Sequence, residues 1–189
     1  MTRAFRRDDV PHWLLHEIVD LASRAPSAGK TQGWELLVLT GDAVRRYWDI
    51  TLPAGRRSSF RWTHLLDAPV LALPFVNPQA YVDRYAEPDK ARTGLGEGTE
   101  SWTTPYWTID GSMAVMTLLL AAEDAGLGAL FFGVFDHEPV VRDEFGVPDG
   151  PELLGAIALG WPLETLDGKG RSAGRSRRRP GEIIRLDHW

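Results

Sequence analysis

The sequence predicts a mixed fold of α/β or α+β class, on three observations. Apolar residues recur at helical spacing in several segments, short apolar runs of strand length lie between them, and Gly or Pro marks most junctions. The 189 residues, 43% hydrophobic and 25% charged, suffice for a buried core and are too apolar for disorder. No internal repeat or linker divides the chain, so residues 1–189 are expected to form one domain.

Pro11 can open a helix as its first residue, and Leu14, Leu15, Ile18, Val19, Ala22 and Ala25 then recur on one face until Pro26 stops it. Residues 26–33 read as a loop and 36–39 as a short buried strand. A helix follows Gly41 and Asp42, with Val44, Tyr47 and Trp48 on one side. Val70–Val76 reads as a strand, and Pro74 within it points to an edge or a bulge. Residues 77–108 mix Gly, Pro, Thr and aromatics without a period; so long a loop carries function or hides a short helix.

Residues 110–125 form the strongest helix. Met113, Val115, Met116, Leu118, Leu119 and Leu120 make it apolar nearly all round, which marks it as central and buried. Gly126 can cap it. A strand over 129–134, a helix over Glu138–Phe145 closed by Gly146, and a strand over 154–159 follow. From 162 to 189 the chain reads as an extended arm that closes on the strand-like segment 182–186.

Composition narrows the function. A net charge of −5 argues against nucleic acid as the main partner. With no cysteine there is no disulfide, thiol nucleophile or Cys-ligated metal. The five histidines (His12, His16, His64, His137 and His188) lack metal-site spacing, so no metal site is expected. The N-terminus has no apolar signal core and no run is long enough to span a bilayer, which predicts a cytoplasmic protein without membrane contact. Gly29-Lys30-Thr31 looks like the end of a phosphate loop, but Arg24 stands where that motif needs Gly, and the order of helix and strand is reversed. Among the eight tryptophans, Trp102 and Trp107 lie in a Gly/Thr/Pro-rich stretch, suited to a dimer surface or to the wall of a pocket for a flat ligand. The basic run Arg171, Arg175, Arg177, Arg178 and Arg179 would alone read as a solvated tail or a nonspecific patch.

Several blocks, in order along nearly the whole chain, carry a resemblance. Ala25-Pro26-Ser27-Ala28-Gly29-Lys30-Thr31-Gln32-Gly33-Trp34 is similar to the signature A-P-S-(small)-(small)-N-(S/T)-Q-P-W of the FMN-dependent nitroreductase family. Asp110 to Ala122, followed by Gly126 to Gly133, resembles that family's central helix and the strand beside the flavin. Ala158-Leu159-Gly160-Trp161-Pro162 resembles A-(L/I)-G-(Y/W)-P, and Arg178 to Ile184 resembles a C-terminal R-x-P-x-(D/E)-x-(V/I).

The resemblance implies an α+β nitroreductase-like fold: a central mixed, mostly antiparallel sheet flanked by helices, with the C-terminal arm exchanged in a homodimer and FMN held at the interface. Arg3 matches the retained arginine of an N-terminal R-S-x-R pattern, and Arg178 the C-terminal phosphate arginine; a guanidinium suits a phosphate because it stays charged and presents a fork of donors. Ser27, Ala28, Lys30 and Gln32 match the loop laid against the ring by the other subunit. Phe131, Gly133 and Val134 match the segment beside the ring, whose backbone N–H groups can bond flavin N5 and O4 and stabilise developing negative charge. Trp102, Tyr106 and Trp107 fall in the loop where relatives vary their substrate cover. This sequence departs in places: Met1 and Thr2 fill the place of the first Arg-Ser (Arg177 or Arg179 could substitute for that contact), Lys30 replaces Asn, Gly33 replaces Pro, and Gly133 stands where many members have Glu.

The implied activity is electron transfer from NADH or NADPH through FMN to a flat acceptor, a nitroaromatic or a quinone, with ping-pong kinetics. The alternatives are a flavin-dependent dehydrogenase, dehalogenase or flavin-cleaving relative, a non-catalytic flavin or deazaflavin carrier, and a non-enzymatic interaction protein.

Overall fold

The computed structural model describes residues 1–166, 168–170 and 172–189. Its elements run α1 (His12–Ala22), β1 (Trp34–Thr40), α2 (Asp42–Thr51), α3 (Ala54–Arg57), β2 (Val70–Val76), α4 (Pro78–Ala86), α5 (Tyr106–Asp124), β3 (Gly128–Phe132), α6 (Glu138–Phe145), β4 (Glu152–Leu153), β5 (Ala156–Gly160) and α7 (Pro180–Ile183). The strands pair in the order β1-β2-β5-β3, with β4 beside β2, and every ladder among the described residues is antiparallel.

Strands β2 and β5 are buried along their whole length because helices cover both faces of the sheet. Side chains alternate across a strand, so β2 feeds two cores. Leu71, Leu73 and Phe75 pack with Tyr47, Trp48 and Val141 under α2 and α6. Val70 and Ala72 pack with Leu14, Ile18, Val115 and Leu118 under α1 and α5.

Pro74 does not mark an edge, for β2 is internal to the sheet. It pairs with Leu36 on one side, and its carbonyl accepts from Leu154 N (2.9 Å) on the other. A strand residue points its N and its O to the same neighbour, so the missing donor faces the break between β4 and β5, where Gly155 holds φ +150°.

Residues 77–108 hide a helix. The Asn77 side chain caps α4 by accepting from Gln79 N (3.0 Å) and Ala80 N (3.4 Å), and Pro78 takes the first position, where its lost donor is not needed. Short 3₁₀ turns at Ala91–Thr93, Leu95–Glu97 and Thr99–Ser101 lead on to α5.

Helix α5 starts at Tyr106 and is not buried all round. Ala114, Val115, Leu118 and Ala122 face the core, whereas Met113, Met116 (52% exposed) and Leu120 (56%) form an apolar stripe on the outside. Gly126, at φ +78°, closes the helix while Leu127 N bonds back to the Ala122 carbonyl (2.8 Å).

Segment 182–186 is not a strand here. Helix α7 forms at Pro180–Ile183, where the Glu182 carboxylate accepts the Arg179 N–H (2.6 Å). A lone strand segment lacks a neighbour to pair with, and the local cap prevails. Ile183, Ile184, Leu186 and Trp189 of the arm stay exposed. No helix of the described residues is long and apolar enough to cross a membrane.

Candidate cofactor site

The N-terminal segment runs along the edge of β3, beside Gly128 and Ala129. Thr2 N donates to the Ala129 carbonyl (2.9 Å), Phe5 pairs with Pro162, and Leu163 N donates to the Ala4 carbonyl (2.9 Å). Here a cavity of about 430 Å³ opens, with Arg3, Trp62, Phe131, Gly133, Val134 and His137 in its lining and Tyr47 and Trp48 of α2 at its base. The Arg3 guanidinium lies over the Trp62 ring (5.2 Å) and donates to the Met1 carbonyl (3.3 Å). Arg61 stacks on the same ring (4.5 Å). Gly133, exposed and without a side chain, presents bare backbone to the cavity. A cation, aromatic walls and accessible backbone fit a flat ligand with a phosphate tail.

Residues 27–32 form a tight loop over α4 and α5. Gly29 (φ +62°), Lys30 (+57°) and Gln32 (+54°) all take the left-handed conformation. The Ser27 hydroxyl accepts from Gln32 N (2.9 Å), Arg84 Nε donates to the Gly29 carbonyl (2.9 Å), and Ala28 N donates to Asp110 Oδ2 (2.7 Å). A second cavity of about 290 Å³ lies beside this loop, lined by Ala28, Tyr85, Leu95, Trp102 and Tyr106, among others. Tyr85 and Trp102 meet edge to face there, 4.7 Å apart. Ala28 thus lines one cavity, while Arg3, Phe131, Gly133 and Val134 line the other.

The model of the nitroreductase family matches residues 1–161. The chain belongs to the nitroreductase family. A protein named NADH dehydrogenase from Thermus thermophilus is 30% identical over 180 residues, covering 86% of this chain and 82% of that one. A 4-nitrobenzoate reductase from Nocardioides sp. is 28% identical over 190 residues, with 84% and 75% covered. Among solved structures, an FMN-dependent nitroreductase from Clostridium difficile shares the fold, with a TM-score of 0.67 at 17% identity over 100% of this chain and 94% of that one.

In this nitroreductase-family chain Ser27, Lys30, Gln32, Trp107 and Arg178 line neither of these cavities. Arg178 is exposed on the arm, donates to the Glu182 carbonyl, and lines neither cavity. Arg171 lies outside the described residues. Trp107 is a core residue rather than a pocket wall: it is buried with Val76 and Tyr81, and its indole N–H bonds Glu152 Oε2 (3.1 Å). Trp102 and Tyr106 do line the second cavity, and the Trp102 indole N–H is held by the Leu95 carbonyl (2.9 Å).

Sequence reasoning missed Asp110, Tyr81 and Trp62. Asp110 is the one charged residue between Ile109 and Ala122 in the most apolar helix, a signal that was there to read. The Tyr81 hydroxyl donates to Asp110 Oδ2 (2.8 Å), and burial, then that bond, push its pKa well up, so it remains a donor.

Proposed function

We propose that the chain is an FMN-dependent oxidoreductase that takes electrons from NADH or NADPH and passes them to a flat acceptor such as a nitroaromatic or a quinone. It would work as a cytoplasmic homodimer of single-domain subunits, each with its arm from residue 162 laid across the other copy. The observation that carries this reading is that Arg3, Phe131, Gly133 and Val134 line one cavity while Ala28 of the 27–32 loop lines another. The exposed stripe Met113, Met116 and Leu120 on α5 supports it, since an apolar face on a central helix favours a second copy. In such a dimer the 27–32 loop of one copy closes over the cavity of the other.

Arg3 would hold the FMN phosphate, with Arg178 joining it from the arm. Phe131 and Trp62 would pack on the flat ring system, and the backbone at Gly133 and Val134 would bond its polar edge. When bound, FMN would supply the electron chemistry between nicotinamide and acceptor. The cavity beside Trp102 and Tyr106 would admit donor and acceptor in turn, which gives parallel lines in double-reciprocal plots.

The test is anaerobic. Purified protein should be yellow, release FMN rather than FAD on denaturation, scatter light as a dimer, and bleach on addition of NADH or NADPH. Colourless protein that binds no added FMN would overturn the reading. Flavin that neither nucleotide bleaches would favour the dehydrogenase or carrier alternative.

A further inference from the structure

Asp110 is the one polar or charged residue among the buried residues described, only 5% exposed. A carboxylate taken out of water is tolerated where donors satisfy it. Two do so, and both converge on Oδ2: the Ala28 N–H at 2.7 Å and the Tyr81 hydroxyl at 2.8 Å. We propose that Asp110 is the positioning residue that fixes the 27–32 loop in its FMN-binding shape, which rests on the functional reading above.

Asp110 itself lines neither cavity, so its effect is exerted through Ala28. It is well placed to act as an anchor. Its neighbour Gly111 lies so close to β2 that a β-carbon there would stand 2.3 Å from Val76 Cγ1, which leaves α5 little freedom at this point. On the other side of the carboxylate, the loop holds Lys30 and Gln32 in left-handed conformations that side chains disfavour. Left alone, such a loop relaxes. Other bonds that hold it come from within it, such as Ser27 to Gln32, or from α4, where Arg84 bonds the Gly29 carbonyl and the Tyr81 hydroxyl also meets the Ser27 side chain. Asp110 is the side chain that ties it to α5, the central helix of the molecule. The Tyr81 hydroxyl occupies the same oxygen and keeps the carboxylate turned toward Ala28.

The experiment uses the full chain with Asp110→Asn and, separately, Tyr81→Phe. Amide hydrogen exchange is read in flavin-free protein, FMN affinity by titration, and the position of the bound-flavin absorption band by spectroscopy. Asp110→Asn should speed exchange at Ala28 and the 29–32 amides about tenfold or more. It should also weaken FMN binding in the folded protein by about tenfold, the order of one charge-assisted bond, and shift the absorption band. Tyr81→Phe should produce the same changes to a smaller extent, because Ala28 still bonds the carboxylate. If Asp110→Asn only lowers the melting temperature, with loop exchange, FMN affinity and spectrum as in the parent, the proposal is wrong. Should Asp110→Asn fail to fold, Tyr81→Phe decides, and unchanged exchange at Ala28 overturns the proposal. If the parent protein binds no FMN, the functional reading falls, and the exchange data still decide whether Asp110 holds the loop.

Discussion

Phe135 sets its ring where a side chain on Gly133 would stand. A β-carbon at Gly133 would stand 2.5 Å from Phe135 Cζ, and Phe135 itself holds φ +51° with 84% of its surface exposed. A left-handed phenylalanine costs about 1–2 kcal/mol relative to an ordinary backbone, and here it leaves an aromatic face open at the end of β3. Because the ring is exposed, it can yield. Gly133→Ala is expected to push Phe135 aside with little change in stability, within about 0.5 kcal/mol as for surface positions, while shifting the absorption band of bound FMN. A loss of several kcal/mol in urea unfolding would instead mean that the ring is fixed.

Lys30 stands where the family usually has Asn, and the backbone gives a reason for the family's choice. Lys30 is exposed at φ +57°, a conformation that Asn tolerates better than Lys. Lys30→Asn should therefore stabilise the protein by up to about 1 kcal/mol, which for a chain of this size raises the melting temperature by roughly 2–4 °C. A lower melting temperature would show that Lys30 makes a compensating interaction.

Gly111 is the point where α5 crosses β2. Its absent β-carbon would meet Val76 Cγ1 at 2.3 Å and Leu154 Cδ1 at 2.9 Å, both inside the packed interior. Gly111→Ala should destabilise by about 1–3 kcal/mol through overpacking, in contrast to the mild effect at Gly133. Denaturant midpoints of the two variants, measured side by side, check the difference.

The elements that could be read from the sequence are those whose local pattern and tertiary environment agree. Helix α2 buries Val44, Tyr47 and Trp48, the face its spacing predicts, and α6 ends at Gly146 in the left-handed conformation a cap requires. Helix α4 escaped because only the adjacent Tyr81 and Val82 follow Pro78 on its buried side, too few to show a period, and its start is written only in Asn77-Pro78. Segment 182–186 differs for another reason: Ile183 and Ile184 favour strands, but the strand expected there pairs with the sheet of a second copy, and in the single chain the helical turn forms instead. At the site, Arg3, Phe131, Gly133 and Val134, each named by a separate motif match, line one cavity. The matches included Asp110 as the start of the central-helix block but gave it no role, since it bonds Ala28 of the loop and Tyr81 of α4 and lines neither cavity.

Arg3 and Arg178 test the phosphate clamp. Arg3 lines the cavity at the end of β3, whereas Arg178 lies on the exposed arm. Loss of one charge-assisted bond, about 1.5–3 kcal/mol, corresponds to about tenfold or more in affinity. Arg3→Ala and Arg178→Ala should each weaken FMN binding by that amount, and Arg171→Ala should do little, since it falls outside the family's C-terminal block. Equal losses from Arg171→Ala and Arg178→Ala in FMN titration would reduce the arm to diffuse charge.

Tyr106 and Trp107 are adjacent in sequence and separate in role. Tyr106 is 44% exposed and lines the cavity beside Ala28 and Trp102. Trp107 is buried against Tyr81, with ring centroids 6.2 Å apart, and bonds Glu152 through its indole N–H. Tyr106→Ala should therefore change the ratio of kcat/KM between a nitroaromatic and a quinone acceptor while FMN content and melting temperature stay near the parent's. Trp107→Ala removes a large core side chain and should cost about 3–5 kcal/mol of stability, taking flavin content down with the folded fraction. A Trp107→Ala protein that keeps its stability and changes only its acceptor preference would return Trp107 to the pocket. A Tyr106→Ala protein that loses stability instead would assign that ring to the core.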